Sequence, residues 1–265
     1  MNKKAVILLS GGLDSLLTLA IAISENYEPF PLHLNYGQIT QQRELQAFND
    51  ILEHYKIENK LIVDIEYLKK IGGSSLTVVG AMPCACPNEN ERGQPQEIDP
   101  TVLRSPNEIA EQARNDGNSR GNSDLNNTKN NSTPNSYVPF RNANILAIAT
   151  SWAEVISANA IFIGASEVDF SGYPDCRRIF FDAFEETINL GTKPETSITV
   201  ETPLIKMTKE DVVREGAKLK IPFELSWSCY FENEVACGVC ESCKLRLNGF
   251  RNAKIKDPIQ YSHST

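Results

Sequence analysis

Two rhythms of apolar residues alternate along this chain. Residues 5–9, "AVILL", form an unbroken apolar run. Leu13, Leu16, Leu17 and Ala20 then follow at helical spacing. A continuous run with β-branched members predicts a strand buried on both faces, and the 3.6-residue spacing after it predicts a helix. The pairing recurs. Strands are expected at 28–38, 59–68, 159–166 and 198–205. Helices are expected at 39–57, with Leu45, Phe48, Ile51, Leu52 and Tyr55 on one face, and at 143–158, 182–191 and 208–221. Gly191 is placed to cap the third of these at its C-terminus. Thr208 with Asp211 three residues on has the form of a capping box for the fourth. Strands alternating with helices give an α/β class: a mainly parallel sheet with helices on both faces.

The rhythm breaks between about residues 84 and 136. The stretch "GNSRGNSDLNNTKNNSTPNS" is nearly free of apolar side chains, and residues 102–116 read as one isolated helix. Such a composition cannot offset its ordering entropy by burial. The segment is expected to be a mobile surface insertion, either a tolerated loop extension or a lid or partner-docking arm. The expected organisation is an α/β domain over 1–225 that carries this insertion, followed by a cysteine-bearing C-terminal segment over 226–265 packed on the same domain.

Composition narrows the function. The 265 residues suffice for one large domain with a real core. A net charge of −8 argues against a general nucleic-acid-binding surface, though it leaves room for a local basic patch. The apolar run near the N-terminus spans five residues, too few for a signal peptide or a membrane span. A cytoplasmic protein is expected, in which the seven cysteines serve as thiols, metal ligands or catalytic groups rather than as a disulfide framework.

The first strand runs into "LLSGGLDSLL", residues 8–17. Paired glycines at a strand-to-helix turn let the backbone approach a ligand, and the helix N-terminus offers free N–H groups and about half a positive charge. Ser10 and Ser15 add hydroxyls. The turn therefore suits a phosphate, with Asp14 holding a bridging cation or orienting a neighbouring donor. A turn whose glycines serve geometry alone is the other reading. The stretch is neither a Walker A motif nor GxGxxG.

A second constellation lies near the C-terminus. In "CYFENEVACGVCESC", Cys229, Cys237, Cys240 and Cys243 place four thiols within fifteen residues. Zinc takes four thiolates in a closed tetrahedral site, and Gly238 permits the tight knuckle between ligands. An iron–sulfur cluster also uses C-x2-C-x2-C, but nothing else in the chain suggests electron transfer, so a structural zinc is favoured.

The string Ser10-Gly11-Gly12-Leu13-Asp14-Ser15 resembles the pyrophosphate-binding loop of the N-type ATP pyrophosphatases. With "NYGQ" (35–38), "YVPFRN" (137–142), "DFSGYPDCR" (169–177), "PLIKMTKEDVV" (203–213) and "SWSCYFENEVACGVCESCKLR" (226–246), the chain resembles the 7-cyano-7-deazaguanine synthase family of queuosine biosynthesis over nearly its whole length. It departs from that pattern in the long polar insertion before "YVPFRN". The resemblance implies a Rossmann-like fold of the adenine nucleotide alpha-hydrolase type. It also implies an ATP-dependent ligase that turns 7-carboxy-7-deazaguanine and ammonia into the nitrile through an adenylated carboxylate and an adenylated amide. The implied cofactors are ATP, Mg²⁺ and Zn²⁺, and the implied assembly is a homodimer, with no direct nucleic-acid or membrane partner.

By the same resemblance, the segment Leu9, Ser10, Gly11, Gly12, Leu13, Asp14, Ser15, Leu16, Leu17, Thr18 and Leu19 holds ATP. Asp14, Ser15, Arg141 and Lys209 are the catalytic candidates. Arg141 and Lys209 would neutralise phosphate charge, and each reads equally well as a solvated cation. Asp169, Ser171, Tyr173, Asp175 and Arg177 would bind the deazaguanine, an aspartate meeting its amino and imino edge and Tyr173 stacking on the ring. A loop of Asx and Pro-Asp turns is the other reading. Cys176 reads as a packed thiol, and His33, His54 and His263 carry no motif. Two alternatives stay open: a related ligase acting on another amine, such as a protein N-terminus, and a non-catalytic nucleotide-binding relative. The complete Ser-Gly-Gly-x-Asp-Ser string argues against the second.

Overall fold

A computed structural model describes residues 3–77, 136–168 and 172–263. The helix expected at 102–116, the expected insertion up to residue 135, and Asp169 and Ser171 lie outside the described residues.

Every strand pairing in the described sheet is parallel. The strands are β1 (Lys3–Leu8), β2 (Tyr27–Asn35), β3 (Leu61–Asp64), β4 (Ala160–Phe162) and β5 (Thr199–Glu201), in spatial order β3-β2-β1-β4-β5. In the middle of the sheet Val6 faces Phe30 on one side and Ile161 on the other. The two-residue period of β1 sorts its side chains between two cores. Ala5, Ile7 and Leu9 join α1 (Leu13–Ser24), α2 (Gln41–Tyr55), α6 (Lys209–Lys218) and α7 (Glu241–Ala253) on one face. Val6 and Leu8 join α3 (Tyr67–Ile71), α4 (Arg141–Ile156) and α5 (Arg178–Gly191) on the other. The expected parallel sheet with helices on both faces is the observed architecture.

Several bounds differ from the pattern-based expectation. Strands β3, β4 and β5 are shorter than their apolar runs, and the second half of 59–68 bends into α3. Helix α5 starts at Arg178, where the Arg178 guanidinium meets Asp182 at 2.6 Å and the Arg178 N–H donates to Glu167. Gly191 is not the C-cap. It is the last helical residue, and Thr192 caps α5 by donating its N–H to the Ile188 carbonyl at 3.0 Å. Thr208 caps α6 with the full reciprocal box that its spacing with Asp211 predicts. Helix α7 was hidden because its buried positions include Arg246 and Gly249 as well as Phe250.

Chain direction places the site. After β1 the chain builds β2 on one side, and later returns to build β4 on the other. A reversal of this kind leaves a crevice beyond the carboxyl ends of the strands, where ligands of open α/β sheets bind. The Ser-Gly-Gly turn leaves β1 at this point. Among the described residues no helix is long and apolar enough to cross a membrane.

Candidate functional site

Two glycines shape the turn after β1 in different ways. Gly11 has φ +88, and an added Cβ would lie 2.7 Å from the Glu44 carbonyl and 2.9 Å from the Ala47 Cβ. The left-handed backbone and direct contact with α2 both require glycine here. The Gly11 carbonyl accepts the Trp227 N–H at 2.9 Å, so the chain just before the cysteine cluster fastens the loop from behind. Gly12 is the N-cap of α1, and no side chain among the described residues caps that helix. Ser10 Oγ accepts the Gly12 N–H at 3.2 Å, and Ser15 Oγ donates to the Gly12 carbonyl at 3.0 Å. The result is a preformed concave turn with the first amides of a helix at its mouth, which is the chemistry of an anion site.

This turn opens onto a cavity of about 270 Å³. Leu9, Ser10, Gly12, Leu13, Asp14 and Ser15 line it, whereas Gly11, Leu16, Leu17, Thr18 and Leu19 lie behind it as buried support. Leu8, Leu32 and Leu34 form an apolar wall. Asp14 and Lys209, nearly two hundred residues apart in sequence, meet there: the Lys209 ammonium donates to both Asp14 carboxylate oxygens at 2.7 Å. Lys209 is the first residue of α6, and Gly249 of α7 makes room for it, since a Cβ at 249 would stand 2.6 Å from the Lys209 Cγ. Arg141 begins α4, lies over the Tyr36 ring and donates to its hydroxyl at 3.1 Å. Burial works against the Arg141 charge, but nearby Tyr36 and Asp175 outweigh it and keep the guanidinium protonated. The Tyr36 phenol is pushed up to about 12 by burial. Asp14, Ser15, Arg141 and Lys209 thus line one cavity.

The remaining candidates divide. Tyr173 lines the cavity, and its hydroxyl lies 2.6 Å from Ser136 Oγ. Asp175 and Arg177 are not among the lining residues. The buried Asp175 carboxylate accepts the Asn142 N–H at 3.0 Å at the start of α4, and exposed Arg177 turns its Nε to the Pro174 carbonyl. Cys176 lines the cavity as a buried thiol pushed up to about 11 by that burial, which suits packing rather than nucleophilic attack. His33 is a strand residue with its Nδ1 3.0 Å from the Leu9 carbonyl.

Pattern reading gave no role to Tyr36, Gln38, Thr40, Glu44 or Tyr230, all of which line the cavity. Tyr36 and Gln38 belong to the "NYGQ" string and Tyr230 to the 226–246 string, neither of which names their chemistry by spacing, and Thr40 and Glu44 fall outside the quoted strings.

Cys229, Cys237, Cys240 and Cys243 are all buried, and their sulfurs lie within 4.8 Å of one another. Four sulfurs each about 2.3 Å from a common ion stand roughly 3.8 Å apart in a tetrahedron. Cys237 and Cys243 are 3.9 Å apart. Backbone N–H groups of Glu232 and Cys237 point at the Cys229 sulfur, that of Cys240 at Cys237, and that of Cys243 at Cys240, at 3.3–3.4 Å. Such donors favour thiolates. Gly238 has φ +77, as the knuckle requires, and a Cβ there would strike the His263 carbonyl. The donor set and its spacing fit one metal ion.

Comparison with known proteins identifies a family. The family model described as "Queuosine biosynthesis protein QueC" matches residues 4–101 and 96–254. A 7-cyano-7-deazaguanine synthase of Chlorobium phaeobacteroides (strain DSM 266 / SMG 266 / 2430) is 49% identical over 258 residues, covering 97% of this chain and 96% of that protein. One of Chloroherpeton thalassium (strain ATCC 35110 / GB-78) is 48% identical with the same coverage. Among solved structures, the U34-tRNA thiolase NcsA from Methanococcus maripaludis with its [4Fe-4S] cluster is similar at 15% identity and a TM-score of 0.40, covering 95% of this chain and 66% of that one, a likeness too loose to carry chemistry across. By the family model and by identity over nearly its whole length, the chain belongs to the QueC family of queuosine biosynthesis proteins.

Proposed function

We propose that this chain is an ATP-dependent carbon–nitrogen ligase that converts 7-carboxy-7-deazaguanine and ammonia to 7-cyano-7-deazaguanine. A carboxylate or amide oxygen is a poor leaving group until it is adenylated. The substrate carboxylate attacks the α-phosphorus of ATP and expels pyrophosphate, ammonia displaces AMP to give the amide, and a second ATP activates the amide oxygen for loss as AMP. The observation that carries this reading is the Ser10–Ser15 turn, open at the reversal of the sheet, facing Lys209 and Arg141 across one cavity in a chain of this family.

The roles follow from charge and position. The turn grips the β- and γ-phosphates as a unit, so pyrophosphate becomes the leaving group. Lys209, oriented by Asp14, and Arg141 offset the charge that grows on the phosphates. Asp14 would help hold Mg²⁺, which would supply further neutralisation of the phosphate charge. Tyr173 faces the deazaguanine ring, and Asp175 fixes the start of α4 behind it. Asp169, Ser171 and Arg177 complete the substrate loop by resemblance. The cysteine cluster holds zinc in a structural role: four sulfurs within 4.8 Å leave room for one ion, whereas an iron–sulfur cluster seats its thiolates on separate irons. Residues 1–225 then form the catalytic domain and 226–265 a metal-held segment against it. The chain works as a homodimer in the cytoplasm, where four closely set thiols stay reduced.

Oxygen-18 in the substrate carboxylate tests the chemistry. The label is expected in AMP, with two AMP and two pyrophosphate formed per nitrile and the amide accumulating when ATP is limiting. Label in inorganic phosphate would overturn adenylation.

A further inference from the structure

Glu44 is the carboxylate of this cavity for which the proposed function has no use. It sits in the first turn of α2 and lines the cavity together with Asp14, Arg141 and Lys209. Unlike Asp14, it has no cation within ion-pair distance among the described residues. Its oxygens are held by two neutral donors: Thr40 Oγ1 to Oε1 at 2.8 Å and Gln38 Nε2 to Oε2 at 3.1 Å. Gln38 is fixed in turn, its Oε1 accepting the Tyr36 N–H at 2.9 Å, and both Gln38 and Thr40 are buried. A carboxylate oxygen has more than one lone pair, so each keeps acceptor capacity towards the cavity. Burial pushes the Glu44 carboxyl above the usual range, while the Thr40 and Gln38 hydrogen bonds and the charge of Arg141 hold it back. The charged and titratable groups that act on it are Arg141 from α4 and Tyr36 from the end of β2.

We infer that Glu44 is the general base of the amination step, taking a proton from ammonium in the cavity. The inference rests on the adenylation reading above. Ammonium transfers one proton to the Glu44 carboxylate. The freed ammonia forms the C–N bond at the adenylated carbonyl carbon, and the C–O bond to AMP breaks with its electron pair leaving on AMP. The nitrogen loses its second proton to water, giving the neutral amide and a Glu44 carboxylic acid that later releases its proton to solvent. A carboxylate with no ion-pair partner among the described residues can bind a small cation and neutralise it, whereas Asp14 already pairs with Lys209 at 2.7 Å. A general base typically contributes about 100-fold or more.

The test separates the two half-reactions in Glu44→Gln, which keeps the shape and one acceptor. Pyrophosphate exchange into ATP, dependent on 7-carboxy-7-deazaguanine and without ammonium, is expected within about twofold of wild type. Amide formation with ammonium is expected to fall about 100-fold or more. Hydroxylamine, already neutral near pH 7, is expected to recover most of that loss as the alternative amine. At fixed total ammonium the wild-type amination rate is expected to rise with pH through the Glu44 titration and then level off, whereas the variant, left with free ammonia, keeps rising without that plateau. Loss of exchange together with amination would overturn the inference and make Glu44 a ring-binding residue, as would a wild-type amination rate in the variant. If Glu44→Gln does not fold, the same comparisons on Glu44→Asp and the wild-type pH profile decide: a wild-type profile that only tracks free ammonia, with no plateau, overturns the inference. No exchange in the wild-type enzyme would instead remove the adenylation reading.

Discussion

At the scale of single residues, Gly11 and Asp14 stand three positions apart in one turn but do different work. Gly11 is needed by the backbone, because its φ of +88 and its contact with α2 leave no space for a Cβ. Asp14 is needed by a charge, because Lys209 is only 8% exposed and its ammonium pairs with the Asp14 carboxylate at 2.7 Å. Gly11→Ala is therefore expected to lower both the thermal midpoint and ATP turnover. Asp14→Ala is expected to keep the fold and lose at least about 100-fold in carboxylate-dependent pyrophosphate exchange, since a misaimed cation no longer matches the growing phosphate charge. Thermal melts beside exchange rates check this, and a folded Asp14→Ala with normal exchange would remove the pair from catalysis. The Gly-Gly turn was legible in sequence because an expensive residue type appears twice in an apolar setting. The pairing of Asp14 with Lys209 was not: no spacing links the two, and only the packing of α6 beside α1 joins them.

At the scale of elements, α7 ties the metal cluster to the cavity. Its N-cap is Cys240 and its first turn carries Cys243. Further along, Arg246 is 1% exposed, pairs with Asp257 at 2.8 Å and donates to the Ser226 hydroxyl at 2.8 Å. One helical turn on, Gly249 meets Lys209. Residues 226–229 lead from Arg246's partner through Trp227, which holds Gly11, to the first metal ligand. Removing the metal is thus expected to cost stability on the order of 10 kcal/mol and to take ATP turnover with it. Elemental analysis should find one zinc per chain, and Cys240→Ser should lose both the ion and the cooperative melt. A metal-free protein with a normal melt and normal turnover would show that α7 holds its place unaided. The four cysteines were readable from spacing alone. The helix that starts among them was not, because a buried arginine interrupts the apolar period on which helix reading depends.

At the scale of the whole molecule, what the sequence could show was the alternation: apolar runs that had to be strands of a parallel sheet, and amphipathic stretches that had to cover it. Strand order and the reversal at β1 are properties of the assembled sheet. The cavity floor follows from them. Tyr36 and Glu44 come from beyond β2, Arg141 from the start of α4, Tyr173 from the segment before α5, and Lys209 from the start of α6. No spacing rule joins positions so far apart. Asp175 shows the reverse limit. Its polar loop pointed to the cavity, yet its carboxylate is spent on the first turn of α4.

The Trp227 backbone bond to Gly11 also gives this protein a light signal of its own. The chain has two tryptophans. Trp152 packs against Phe30 on the opposite face of the sheet, whereas Trp227 lines the cavity, sits under the Arg43 guanidinium at 4.5 Å and donates its indole N–H to the Glu232 carbonyl. In Trp152→Phe, all indole emission comes from a ring between the Ser-Gly-Gly turn and the cysteine cluster. Titrating ATP into that variant is expected to change the emission intensity of Trp227, and stripping the metal is expected to shift its wavelength to the red as water reaches the ring. One fluorophore then follows nucleotide and metal by two separable optical changes, and an emission spectrum indifferent to both would mean that the two sites do not meet at Trp227.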